Sequence, residues 1–99
     1  MIFDLNESET PNGWVFSGEV KWSDDEARVE MLVSWADYEF WGRGLVRPFD
    51  VARAILTVVR RADALPETAS RFDAARFRRS ISGFDDDVRA ELGFEELDS

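Results

Sequence analysis

A chain of 99 residues can bury one modest hydrophobic core, and its hydrophobic fraction of 44% is typical of a globular protein. The absence of cysteine and histidine excludes disulfide bonds, thiolate zinc sites and catalysis by a thiol or an imidazole. The net charge of -9 does not favour attraction to nucleic acid or anionic membranes, and no apolar stretch reaches the roughly 18 residues of a membrane span. We therefore expect one cytoplasmic domain over residues 1–99, without a secretory signal or a membrane partner.

The charged residues fall into three blocks along the chain. Residues 1–50 have a net charge of -7, residues 51–79 a net charge of +4 and residues 80–99 a net charge of -6. All the cations of the middle block are arginines. We expect the acidic ends to fold over the middle block and to form ion pairs with it. The alternative is a basic face for phosphates or an acidic partner, although the acidity of the whole chain does not favour nucleic acid.

Residues 2–9 are expected to form the first strand. A turn signal at residues 10–13, which read Thr-Pro-Asn-Gly, would fold this strand back against residues 14–22. Leu5 would then lie opposite Gly18 in an antiparallel pair.

The next two strands are predicted from alternation of apolar and polar residues over residues 14–22 and 27–35. The inward positions of the two segments are Trp14, Phe16, Gly18, Val20 and Trp22, and then Ala27, Val29, Met31, Val33 and Trp35. A turn at residues 23–26 would join the two strands into a hairpin. Together with residues 2–9 they predict a three-stranded antiparallel meander in which residues 14–22 form the central strand.

The turn at residues 23–26 also predicts the register of this hairpin. Trp22 would face Ala27, and every inward position would then lie on one face of the sheet. On the other face this register creates two like-charge pairs, which are Lys21 with Arg28 and Glu19 with Glu30. Like charges in directly opposed positions destabilise a sheet, and diagonal contacts could relieve them only in part. The charges therefore argue mildly against the register that the turn favours, or they indicate that this face is covered.

After Trp35 the alternation breaks, because the apolar residues change parity and acids take the inward positions. We expect a bulge, a turn or a short fourth strand there. On an extended segment Asp37 and Glu39 would point to the same side about 7 Å apart, a spacing suited to a pair of catalytic carboxylates. Two acids in a chain with 21 are a weak basis for catalysis, so no catalytic residue is assigned.

Beyond residue 47 the apolar period becomes helical and predicts three helices, over residues 48–64, 70–82 and 86–92. Pro48 suits the first turn of the first helix, and Pro66 would stop it.

The second predicted helix begins with a capping-box pattern formed by Ser70 and Asp73, and it ends at Gly83. Gly93 would close the third helix, and residues 95–99 form an acidic tail. The predicted fold class is therefore α+β. It consists of an antiparallel meander of three strands, or of four if a short extra strand forms, followed by three helices packed on one face of the sheet.

The densest group of candidate functional residues lies between the last strand and the first helix. It consists of Trp35, Asp37, Tyr38, Glu39, Trp41, Arg43 and Arg47. Aromatic rings beside arginines could anchor a protein partner or hold a flat or anionic ligand. The alternative is that these aromatics close the core between hairpin and helix.

The run Asp85-Asp86-Asp87 suggests a site for Ca²⁺ or Mg²⁺, but it lacks the alternating spacing of a calcium loop. We expect these acids to stabilise the first turn of the last helix instead, and no metal or other cofactor is assigned.

Composition and motifs do not identify a biochemical function for this chain. The leading hypothesis is a small acidic, non-catalytic module that binds or regulates an unknown protein partner. The alternative is a domain that binds a small ligand, or a minimal enzyme, with a pocket between the sheet and the first helix. That pocket would be lined by Trp35, Tyr38, Trp41, Arg43 and Arg47. A homodimer, formed through the outer hairpin face or an open sheet edge, is a further possibility. Val15 and Leu32 would supply a modest apolar surface on the outer hairpin face.

Overall fold

The computed structural model describes residues 2–23, 26–65 and 71–94. The strands are β1 (Ile2–Thr10), β2 (Gly13–Lys21), β3 (Glu26–Ser34) and β4 (Arg71–Asp73), and the helices are α1 (Trp35–Gly42), α2 (Pro48–Arg61), α3 (Phe77–Ser80) and α4 (Phe84–Glu91). The predictions made for Asp24 and Asp25 in the hairpin turn, for Pro66, for Ser70 and for residues 95–99 lie outside the described residues.

The predicted α+β class is confirmed, because helices pack on a four-stranded sheet with the order β1-β2-β3-β4. The first three strands form the predicted antiparallel meander, while β4 runs parallel to β3. The predicted register of the first pair is also confirmed, since Leu5 lies opposite Gly18. No helix in the described ranges is both long and apolar enough to cross a membrane.

The predicted register of the second hairpin is wrong by two residues. Val20, rather than Trp22, lies opposite Ala27. A shift of two residues keeps every side chain on its face, so alternation alone cannot distinguish the two registers. Charge can distinguish them, because the observed register replaces the two like-charge pairs by Glu19 opposite Arg28 and Lys21 opposite Glu26.

Residues 35–42 form helix α1, not the bulge, turn or strand that the loss of alternation suggested. The side chain of Ser34, still in an extended conformation, accepts a hydrogen bond of 3.1 Å from the backbone N–H of Asp37. This N-cap satisfies one of the unpaired amides of the first turn. The helix ends where Arg43 takes up a left-handed conformation and its N–H donates to the carbonyl of Glu39.

Helix α2 begins at Pro48 as predicted and ends at Arg61, three residues before the predicted end. Asp63 adopts a positive φ of 55°, and the N–H of Ala64 donates to the carbonyl of Val59. The N–H of Asp63 donates to the carbonyl of Arg60 in the same turn, which completes a Schellman motif. A local C-cap therefore terminates this helix.

At the start of α2, Asp50 forms a compact cap with Arg47. The backbone N–H and the Nε–H of Arg47 each donate to Oδ2 of Asp50 at 3.2 Å. The side-chain hydrogen bonds from Arg47 hold the pKa of Asp50 below its ordinary value and raise the pKa of Arg47.

Asp50→Asn is therefore expected to lower the free energy of unfolding at pH 7 by about 0.5 to 1 kcal/mol. The pKa of Asp50 is lower in the folded chain than in the unfolded chain. Its contribution is thus complete above the unfolded pKa of roughly 4 and is lost as the pH falls through the folded pKa. Urea unfolding at several pH values should show wild type and variant converging in acid, while the control Asp4→Asn, at an exposed position of β1, should change the free energy of unfolding little at pH 7.

The predicted helix over residues 70–82 is wrong in its first half. Residues 71–73 form β4 instead, because Phe72 buries its ring beside Met31 of β3. Arg71 next to it forms an ion pair of 2.7 Å with Glu30, which lowers the pKa of the Glu30 carboxyl. Asp73 caps a short 3₁₀ turn over residues 74–76 by accepting a hydrogen bond from the N–H of Ala75, and α3 follows.

Helix α4 begins at Phe84, two residues before the predicted start, and Gly93 follows its end with a positive φ of 84°. Asp85, Asp86 and Asp87 lie in its first turn as predicted, where they interact favourably with the helix dipole.

The predicted pairing between the arginine-rich middle of the chain and its acidic ends is confirmed. Each of four ion pairs joins an arginine of residues 51–79 to an acid of one of the two end blocks, and these pairs are Arg61–Glu91, Arg71–Glu30, Arg78–Asp37 and Arg78–Asp85. Arg53 and Arg60 of α2 also lie over the rings of Phe3 and Trp22. Ion pairs therefore link the basic middle block to both acidic ends in the folded chain.

Candidate functional site

The candidate residues of the sequence lie on α1 and in the connection to α2, but they do not form one site. Helix α1 directs Asp37, Tyr38 and Trp41 toward the protein and leaves Trp35 and Glu39 exposed. Arg43 and Arg47 follow the helix and are also exposed. A helical turn of about 100° per residue produces this division, whereas an extended segment would have placed residues 35, 37, 39 and 41 on one side.

Trp41 belongs to the core and not to a binding surface. Its side chain is completely buried, its ring meets Phe84 edge-on at 5.7 Å, and its Nε1–H donates to Oδ1 of Asp85 at 2.7 Å. The candidate role of Trp41 as an accessible anchor for a partner or ligand is therefore wrong. Trp41 thus has the core-closing role that was the alternative for these aromatics, but its indole packs between α1 and α4 and not between the hairpin and the first predicted helix.

The predicted ligand pocket of Trp35, Tyr38, Trp41, Arg43 and Arg47 is not assembled. Trp41 is part of the core, and the hydroxyl of Tyr38 donates a hydrogen bond to the carbonyl of Val46. The structure does contain a groove of about 250 Å³ between α2 and α4, whose lining includes Arg53 and Leu92. A second groove of about 250 Å³ lies on the sheet near Arg28. Neither groove is lined by a residue of the predicted pocket.

Asp37 and Glu39 do not form a carboxylate pair. Two residues apart on a helix, their side chains leave α1 on opposite faces, about 200° apart. Asp37 is buried and ion-paired, whereas Glu39 is exposed. Within residues 2–23, 26–65 and 71–94, no group of three or more acidic, histidine or cysteine side chains is arranged to hold a metal ion.

The exposed side of α1 carries two large aromatic rings. Trp35 is 46% exposed and Phe40 is 43% exposed, and they bound an arc of about 140° around the helix that also contains Glu39 and Ala36. We call Trp35, Ala36, Glu39 and Phe40 the α1 surface. Phe40 was missed among the candidate residues because the segment was expected to be extended, whereas a helical projection of residues 35–42 places it beside Ala36.

Both rings of the α1 surface are held by neighbouring side chains. Trp35 packs on Trp14 with ring centroids 4.4 Å apart, and its backbone N–H donates to the carbonyl of Asn12 at 2.9 Å. Two guanidinium groups lie over the ring of Phe40, that of Arg78 at 4.4 Å and that of Arg89 at 4.3 Å from the ring centroid. The two rings are therefore exposed but restricted in their motion.

Arg78 connects α1 with the helices that support it. Its Nη1 lies 2.9 Å from Oδ1 of Asp37, and its Nε–H donates at 3.0 Å to Oδ1 of Asp85. The same oxygen of Asp85 accepts the hydrogen bond from Trp41. One guanidinium of α3 thus pairs with an acid of α1 and an acid of α4, and it lies against the ring of Phe40.

Arg78→Met is expected to lower the free energy of unfolding by about 2 kcal/mol, because the buried carboxylate of Asp37 would lose its cation. Arg79→Met is the matched control, since Arg79 is the next residue and is exposed. Urea unfolding measures both variants. Equal losses in the two would show that the Asp37–Arg78 pair does not stabilise the fold, whereas adding Asp37→Asn to Arg78→Met should restore part of the loss.

The fold and the site together define a small α+β protein with a mixed four-stranded sheet and an exposed aromatic helix surface. Comparison of the chain with protein-family models, with curated proteins and with solved structures gives no match. A functional conclusion for this chain therefore depends on its own geometry.

Proposed function

We propose that this protein is a non-catalytic interaction module that binds a protein partner through the α1 surface. The observation that carries the proposal is the pair of aromatic rings, Trp35 and Phe40, each about half exposed and each packed against neighbouring side chains. Tryptophan and arginine are enriched among the residues that contribute most to protein interfaces. Rings that are already ordered also lose little conformational entropy when a partner binds.

The chemistry of the α1 surface favours a protein partner with two apolar depressions separated by a polar strip. Trp35 and Phe40 would enter the depressions, and Glu39 between them would contact the strip. The absence of histidine and cysteine from the sequence, and the separation of Asp37 from Glu39, support a binding role over catalysis. We place this role in the cytoplasm, in keeping with the composition of the chain.

The test is site-specific crosslinking followed by substitution. A photoreactive residue at Glu39, in the middle of the α1 surface, should capture a stoichiometric protein partner from a native lysate. Trp35→Ala combined with Phe40→Ala should reduce that product at least about tenfold, because the interface loses both anchors. Ile2→Ala is the matched control, since Ile2 is 65% exposed and lies at the opposite end of β1 from the turn that contacts Trp35.

Circular dichroism must show that both variants remain folded. Crosslinking that is unchanged in the folded Trp35→Ala, Phe40→Ala chain would contradict the proposal. A reduction of the same size in Ile2→Ala would also contradict it, because binding would then depend on general exposed hydrophobicity.

A further inference from the structure

The first strand forms one edge of the sheet along its whole length. All nine residues of β1 pair with β2 in an uninterrupted register from Ile2 opposite Lys21 to Thr10 opposite Gly13. No strand in the described parts of the chain pairs with the other side of β1. The opposite edge of the sheet, β4, is only three residues long. β1 therefore presents a long row of backbone groups that can pair with a further strand.

Several features that usually protect an edge strand from pairing with another strand are missing from β1. It contains no proline, and its register with β2 shows no bulge. Among the described residues, the protection of this edge is charge, since Asp4, Glu7 and Glu9 are all exposed and β1 contains no basic residue. These three acids would repel a second copy of β1 and attract a basic segment.

A second copy of the chain fits this edge poorly. Antiparallel pairing of two copies of β1 would bring three carboxylates of each copy close together, in two chains that each have a net charge of -9. An extended segment rich in lysine or arginine has the complementary charge. The nearby cation Arg47 is ion-paired with Asp50 at 3.2 Å and also interacts electrostatically with Glu7, so it offsets only part of the negative charge of β1.

The side chains of β1 also suggest the pattern of the added strand. Phe3 and Leu5 are half-buried and pack against the core, whereas Glu7 and Glu9 have the same parity and are exposed. Neighbours on an added strand lie directly beside these positions. A fitting segment therefore places apolar residues beside Phe3 and Leu5 and basic residues beside Glu7 and Glu9.

We propose that the open edge of β1 binds an extended basic segment of a protein partner, which adds to the sheet as a fifth strand. This edge is a different surface from the α1 surface, and the inference does not depend on the function proposed above. Main-chain hydrogen bonds would supply affinity, and the three acids would select basic segments over acidic ones.

The test uses the full chain, labelled with ¹⁵N, and a synthetic peptide designed to pair antiparallel with β1. The peptide reads Thr-Lys-Thr-Lys-Thr-Val-Lys-Val-Thr, which sets lysines beside Glu9, Glu7 and Asp4. Binding should change the NMR signals of residues 2–10 in a saturable way and slow their amide hydrogen exchange. Peptides with glutamate in place of lysine, or with alternate backbone nitrogens methylated on the pairing edge, should not bind.

Charge reversal distinguishes the edge from general attraction between opposite charges. Glu7→Lys with Glu9→Lys should raise the Kd of the peptide at least about tenfold. Asp86→Lys with Asp87→Lys changes the net charge equally, at exposed positions on α4, and should raise the Kd less than about threefold.

Three results would overturn the proposal: no binding at millimolar peptide, equal effects of the two double variants, or binding of the methylated peptide. A concentration-dependent dimer in analytical ultracentrifugation that Glu7→Lys with Glu9→Lys abolishes would also overturn it, because a second copy would then occupy the edge. Crosslinking at Glu39 reports on the α1 surface alone, so failure of either proposal can be recognised separately.

Discussion

Trp41→Ala is expected to lower the free energy of unfolding by about 3 to 5 kcal/mol. The substitution would leave a cavity beside Phe84 and remove the donor that Asp85 accepts at 2.7 Å. Phe40→Ala is the matched control, because Phe40 is the preceding residue on the same helix and is 43% exposed. It should cost about 1 kcal/mol, mainly through its lost contacts with two guanidinium groups.

Urea unfolding followed by far-ultraviolet circular dichroism measures both losses, since fluorescence would change with the removal of a tryptophan. Equal losses for Trp41→Ala and Phe40→Ala would contradict the assignment of Trp41 to the core. Trp41→Phe should fall between Trp41→Ala and wild type, because it keeps an aromatic ring but removes the hydrogen bond to Asp85. The same reasoning makes substitution of Trp41 unsuitable as a test of binding.

Gly18→Ala is expected to cost at least about 3 kcal/mol or to prevent cooperative folding. Gly18 has a φ of 145°, and a Cβ at this position would lie 2.2 Å from the carbonyl oxygen of Asp4. Backbone atoms of β1 cannot yield as a flexible side chain could, so β1 and β2 would have to separate locally. The loss should therefore be accompanied by faster amide exchange in β1.

Gly83→Ala is the matched control for Gly18→Ala. Gly83 also has a positive φ, 72°, but an added Cβ would meet no atom within 4 Å. It should therefore cost only the roughly 1 to 2 kcal/mol of a left-handed backbone conformation. If Gly18→Ala unfolds at the same urea concentration as Gly83→Ala, the close approach of β1 to β2 does not limit stability.

The α1 surface could be predicted only in part from the sequence. Trp35 was among the candidates and is exposed, whereas Phe40 was missed and Trp41 is buried. The reason is that residues 35–42 combine four aromatic residues, which favour strands, with a helix cap at Ser34. Helical geometry decides which rings face the protein. The prediction of an extended segment assigned the rings to inner and outer faces with the period of a strand, whereas the segment has the period of a helix.

Local sequence patterns determined the β1–β2 register, the inward face of β2 and of β3 as far as Val33, the start of α2 and the position of the acids in the first turn of α4. Trp35, predicted as the last inward residue of the third strand, begins α1 and is exposed. Alternation, turn residues and capping residues act over a few neighbours, so a sequence displays them directly.

Only the tertiary structure decided the features that depend on distant partners. The β2–β3 register differs from the predicted one by two residues, which preserves every face and is therefore invisible to alternation. β4 has three residues and forms because Phe72 packs beside Met31 and Arg71 pairs with Glu30, contacts about 40 residues apart in the chain. The burial of Trp41 likewise requires α4. For β4 and Trp41 the deciding free energy comes from contacts between distant elements, which no local pattern contains. For the β2–β3 register the sequence carries one signal, the like-charge pairs that argue against the predicted register.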